Sequence, residues 1–78
     1  MIKKEMKLVI TFHTTTAAMA MEQACKAANA DGRLIPVPRA ISAGCGLAWC
    51  AKLESEENLR ALMLEKGFTP QEVQACLV

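Results

Sequence analysis

Apolar and polar residues recur along the chain with enough regularity to divide it into six segments. In Lys7-Leu-Val-Ile-Thr-Phe12 the β-branched and aromatic residues predict a strand, with Leu8, Ile10 and Phe12 on one face and Lys7, Val9 and Thr11 on the other. His13-Thr-Thr-Thr16 supplies hydroxyls suited to a helix cap. After it, Ala17, Met21, Ala24, Cys25 and Ala28 fall at helical spacing in a segment running to about Ala30, and this stripe should face a sheet. Asn29-Ala-Asp-Gly32 tolerates the left-handed backbone that ends a helix, and Arg33-Leu-Ile-Pro-Val37 reads as a second strand. Pro36 cannot donate to a ladder and Pro38 follows at once, so this strand is expected at a sheet edge and should stop there.

Alternation resumes in Leu47-Ala-Trp-Cys-Ala-Lys-Leu53, a third strand with Leu47, Trp49, Ala51 and Leu53 on one face and Ala48, Cys50 and Lys52 on the other. Ser55 is placed to cap a second helix, Glu56 and Glu57 suit its positive end, and Leu59, Leu62 and Met63 form its apolar stripe. Gly67 stops it, and Phe68 follows where a hydrophobic contact often closes such a cap. From Pro70 to Val78 the signals conflict: Thr69-Pro70-Gln-Glu72 opens like a helix, whereas Val73, Ala75 and Leu77 alternate like a strand, and the strand is the reading adopted. The order β-α-β-β-α-β then gives an α+β protein of the ferredoxin-like split βαβ type, one antiparallel sheet with two helices on one face. A single domain spanning residues 1–78 is expected. The other sheet face should be bare, carrying Val9, Thr11, Cys50 and Cys76.

Composition adds a constraint to this picture. Hydrophobic residues make up 53% of the chain before its four glycines are counted, more than the ~45–50% usual in soluble domains with glycine included. No run approaches the ~18 apolar residues of a membrane span, so the expected outlet for the excess is a contact between subunits, a homodimer formed through the bare face. A net charge of +1 with no basic tract argues against nucleic acid as a partner. The opening Met1-Ile-Lys-Lys-Glu-Met-Lys7 does not read as a signal peptide, which places the protein in the cytoplasm with reduced thiols. Cys25, Cys45, Cys50 and Cys76 contain no C-x-x-C pair and His13 is the sole histidine, so neither a metal nor another cofactor is expected.

The chemistry concentrates between the second and third strands, in Pro36-Val-Pro-Arg-Ala-Ile-Ser-Ala-Gly-Cys45-Gly-Leu-Ala-Trp-Cys50. Gly44 and Gly46 remove the steric shield around Cys45 and let backbone N–H groups turn toward its sulfur. Arg39 adds positive charge in the same loop and Ser42 a hydroxyl, and each of these favours the thiolate, the reactive form. Cys50 is a candidate second thiol, but five extended steps at ~3.3 Å exceed the ~7 Å that a disulfide spans, so only a folded-back loop would join it to Cys45. Cys25 and Cys76 read as packing residues, His13 as a solvated loop residue, and Trp49 as a large core or interface side chain.

Two stretches, Arg33-Leu-Ile-Pro-Val-Pro-Arg39 and Ser42-Ala-Gly-Cys-Gly-Leu-Ala48, together with the strand ending in Thr11-Phe12 and the alanine-rich first helix, resemble a family of small bacterial selenium/sulfur carrier-like proteins. The resemblance implies that Cys45 is a carrier thiol, taking sulfur or selenium as a persulfide or perselenide from a donor protein of the cysteine desulfurase type and handing it to an acceptor protein. Arg39, Ser42, Gly44 and Gly46 would then bind the transferred atom. At Cys50 the family pattern has a basic residue, and this chain departs from it. The rival readings are a non-catalytic ferredoxin-like module that dimerises and binds a small anion or a regulatory partner, and a copper chaperone, against which the wide cysteine spacing argues.

Overall fold

The computed structural model describes residues 5–38, 41 and 46–77. Strand β1 (Met6–Thr11) lies inside the sheet, because its alternation gives it two faces to bury and partners on both sides. One neighbour is β3 (Leu47–Ala51), antiparallel, with Val9 opposite Cys50 and Thr11 opposite Ala48. The other is β4 (Glu72–Leu77), also antiparallel, with Leu8 opposite Ala75 and Ile10 opposite Val73. Strand β2 (Arg33–Pro36) pairs with β3 on its far side, so the sheet order is β2-β3-β1-β4. Pro36 therefore stands on an edge strand, as its missing N–H requires. Element order and strand order together are those of the ferredoxin-like split βαβ fold.

Helix α1 (Thr15–Ala28) starts where Thr14, in extended backbone, accepts the Ala17 N–H on Oγ1 at 3.1 Å. It ends at Asn29, whose φ of 56° turns the chain left-handed, and the Ala30 N–H reaches back to the Cys25 carbonyl at 2.8 Å. Helix α2 (Glu56–Lys66) ends the same way at Gly67, with the Phe68 N–H on the Met63 carbonyl at 2.8 Å and the Phe68 ring packed on the core. The core lies between these helices and one sheet face. Leu8, Ile10, Trp49 and Ala51 meet Ala18, Met21, Ala24 and Cys25 of α1 and Leu59, Leu62 and Met63 of α2. The buried stripe of α2 is the one its spacing predicts, whereas on α1 Ala18 is buried in place of Ala28, which is exposed.

Three expectations need correction. The third strand stops at Ala51 and not at Leu53, which is exposed in a 3-10 turn. Ser55 does not cap α2 with its side chain: a 3-10 turn over Leu53–Ser55 runs straight into the helix, so Ser55 already has helical backbone and its hydroxyl lies 3.4 Å from Asp31 Oδ2 instead. The sheet face away from the helices is not bare either. Ile41, from the connection between β2 and β3, packs there against Val9 and Ala48, with Ile35, Val37 and Cys76 at the margin. Val9 and Ala48 are each 0% exposed, so the most apolar part of this face is covered within one chain. The conflict over the terminal segment is resolved as a strand. Val73 packs on the core beside Ile10, Ala75 stands opposite Leu8 but stays exposed, and the Gln71 N–H bonds the Thr11 carbonyl at 2.7 Å just ahead of the ladder.

Candidate functional site

The outer sheet face divides into two halves of opposite character. At the end where β1 finishes and β2 gives way to its loop, the residues are apolar. There the connection from β2 to β3 is drawn in by a narrow neck, in which the Val37 N–H bonds the Gly46 carbonyl at 3.0 Å. Within it the Ile41 N–H bonds the Pro38 carbonyl at 3.0 Å, and the Ile41 side chain is buried on the sheet. Gly46 is exposed at the neck, and a side-chain atom added there would meet nothing within 4 Å. Of the residues expected to form the thiol site, Arg39, Ser42, Gly44 and Cys45 lie outside the described residues, and Gly46 is the one whose surroundings are defined.

Thr11 sits at this same end, fully buried, and among the described residues its hydroxyl has no hydrogen-bond partner. Its neighbours across the two ladders are Ala48 and Glu72. His13, two residues on, is exposed, in keeping with a solvated loop residue.

At the opposite end the outer face is charged and carries sulfur. The register sets Arg33 beside Cys50 on β3, while Lys7 stands opposite Cys76 on β4. Cys50 is buried, and burial pushes its thiol above the ordinary value of 9.0, although Lys7 and Arg33 pull it down and Asp31 and Cys76 push it further up. From Leu47 to Cys50 the chain is extended along β3, three steps or about 10 Å at the usual strand rise. Cys25 lies in the core between helix and sheet, where burial raises its thiol to about 11, a poor nucleophile at neutral pH. Cys76 is half-buried with its sulfur 3.8 Å from the Leu77 carbonyl, so both of these thiols hold the packing positions expected of them. Among the described residues no group of three or more His, Cys, Asp or Glu side chains is arranged to hold a metal.

One part of this region carries no obvious sequence signal. Asp31 belongs to what reads as a simple helix-ending turn, yet it is a junction. Its carboxylate accepts the Lys52 N–H at 2.9 Å and the Ser55 hydroxyl at 3.4 Å, and its carbonyl accepts the indole N–H of Trp49 at 3.1 Å. Trp49 is thereby a core residue with its one polar atom satisfied. Lys7, Arg33 and Lys52 converge beside it, brought together by the strand register and by the Asp31–Lys52 bond: each is an ordinary surface cation in its own segment.

A family model described as "Putative Se/S carrier protein-like" matches residues 7–74, from the start of β1 into β4. No curated protein and no solved structure matches the chain.

Proposed function

The chain belongs to the Se/S carrier protein-like family, and from that premise we propose that it carries sulfur or selenium on Cys45 between a donor and an acceptor protein. The observation that carries this reading is the family match, which spans a loop where a cysteine stands between Gly44 and Gly46 with Arg39 and Ser42 close in sequence. The thiolate of Cys45 attacks the outer sulfur of a donor persulfide. The new bond joins Cys45 to that sulfur, the donor's S–S bond breaks, and the donor cysteine leaves as a thiolate, so no external oxidant is required. The acceptor then takes the terminal atom and Cys45 returns as a thiolate. Selenium follows the same path as a perselenide. The protein acts as a cosubstrate more than as an enzyme, working as one unit over residues 1–78.

Loop amides around Gly44 and Gly46, with Arg39 and Ser42, stabilise the terminal anion. The neck from Val37 to Gly46 supports this reading, since it holds the loop ends together and leaves Gly46 open to approach. In this reading Cys50 is not required as a resolving thiol. Its place on the extended run from Leu47 and its burial favour release to a separate acceptor. We place the work in the cytoplasm, where thiols stay reduced; no helix among the described residues is long and apolar enough to cross a membrane.

The test is direct loading. Reduced protein incubated with a cysteine desulfurase and cysteine should gain one sulfur, seen as a mass increase that dithiothreitol reverses. Cys45→Ser should abolish the gain and Cys50→Ala should leave it intact. Loading that survives Cys45→Ser would overturn the assignment.

A further inference from the structure

The charged end of the outer face has the makings of a second site, independent of Cys45. Lys7, Arg33 and Lys52, from three separate segments, line one open cleft of about 240 Å³ together with Asp31, Gly32 and Cys50. Three cations against one lining carboxylate is a marked concentration in a chain whose net charge is only +1. We propose that this cleft binds a tetrahedral oxyanion of the phosphate class, free or borne on a small molecule, between Arg33, Lys52 and Lys7.

The partners of each group support it. Among the described residues neither Arg33 nor Lys52 has an acidic side chain within salt-bridge distance, and Lys7 has only Glu5, loosely at 3.6 Å and with the glutamate more than half exposed. Among the residues lining the cleft, Asp31 is the one charge that opposes an anion. Its Oδ2 is already engaged by the Lys52 N–H at 2.9 Å, a bond that holds the chain beyond β3 against the cleft. Gly32 fixes the rim: with φ +121°, it lies so close to β3 that an added Cβ would be 2.7 Å from the Cys50 carbonyl oxygen, and this places Asp31 and Arg33 over the cleft. Cys50 also lines the cleft; burial raises its thiol overall, and Lys7 and Arg33 act against that rise, in keeping with both cations lying close to it. Guanidinium and ammonium groups converging from different segments suit a multivalent oxyanion, which can be met from several directions, better than a halide.

Amide shifts of 15N-labelled protein, recorded at constant pH against sodium phosphate with sodium chloride at matched ionic strength as reference, test this. Gly32, Arg33, Ala51 and Lys52 should move with a saturable midpoint on the order of 1–10 mM, as expected of an open site with few contacts. Arg33→Gln with Lys52→Gln, both on exposed side chains, should raise the midpoint at least ~tenfold while the far-ultraviolet circular dichroism stays unchanged. A parallel titration with glycerol phosphate separates the sources: an equal response marks the phosphoryl group as the recognised element, and a response to inorganic phosphate alone restricts the site to the free anion. Shifts no larger than those in chloride, or a midpoint unmoved in the double variant, would overturn the proposal. Sulfur loading on Cys45 is read separately, so failure here leaves that reading standing.

Discussion

At Gly32 the backbone adopts φ +121° and passes so close to β3 that a methyl group would run into the Trp49 indole and the Cys50 carbonyl. Gly67 also has a positive φ, 76°, but nothing lies within 4 Å of where its Cβ would sit. The two glycines therefore separate backbone strain from steric conflict. Gly67→Ala should cost about 1 kcal/mol, the penalty of a left-handed non-glycine residue. Gly32→Ala adds overpacking and should cost about 2–4 kcal/mol, because the neighbours that would have to move are a ring and a backbone carbonyl. In a chain of 78 residues that difference of about 1–3 kcal/mol is a fall in melting temperature of roughly 5–20 °C relative to Gly67→Ala. Thermal unfolding followed by circular dichroism checks it, and equal melting temperatures for the two variants would show that the turn at Gly32 relaxes freely. The importance of Gly32 was not legible in the chain, where Asp31-Gly32 reads as a helix-ending turn; its close approach depends on Trp49, seventeen residues away, being brought beneath it by the β2–β3 register.

Among the elements, the strands and helices were legible because each has a face to bury and a stop signal of its own. Thr14, Asn29 and Gly67 bound the helices where cap chemistry places the ends, and Pro36 sits on an edge strand. The terminal strand was ambiguous for a physical reason: Pro70 and Glu72 favour a helix locally, and only the ladder with β1 decides against it. The connection between β2 and β3 was legible in its chemistry but not in its packing. A single isoleucine between polar and small residues has no period to betray it, yet Ile41 is the side chain that ties this connection to Val9 and Ala48. Ile41→Ala should destabilise the protein by about 2–3 kcal/mol, the low end for a large-to-small change because the site lies at the molecular surface. Its local effect is sharper. Hydrogen exchange at the Val37 N–H, held by the Gly46 carbonyl at 3.0 Å, should quicken by more than the exchange of Ile10 in the central strand. If Val37 and Ile10 quicken equally, the connection has no opening of its own and Ile41 is simply part of the core.

For the whole molecule, the covered outer face changes what the apolar surplus means. A dimer formed face to face, the outlet expected from composition, would have to displace Ile41 before it reached Val9 or Ala48. Much of the surplus serves two packed layers, a main one beneath the helices and a small one beneath the β2–β3 connection; Cys25 is buried in the first, and Cys50 is buried on the outer sheet face. That gives the fold a common alkaline weakness. Cys25 has its thiol raised from 9.0 to about 11 by burial, and Cys50 is raised in the same direction. Between these values the folded state keeps a proton on Cys25 that the unfolded chain releases. The resulting stability is fully present below pH 9 and is lost as pH rises through about 11. Urea unfolding between pH 8.5 and 11 should therefore show stability falling with pH, with Cys25 contributing a slope of at most ~1.4 kcal/mol per pH unit, the limit for one proton. The comparison that isolates the thiol is with Cys25→Ala. That variant begins less stable, having lost a buried sulfur, but its stability should fall less steeply across the same interval. Parallel curves for the two proteins would mean that Cys25 ionises alike in both states and that the seam between α1 and the sheet admits water freely.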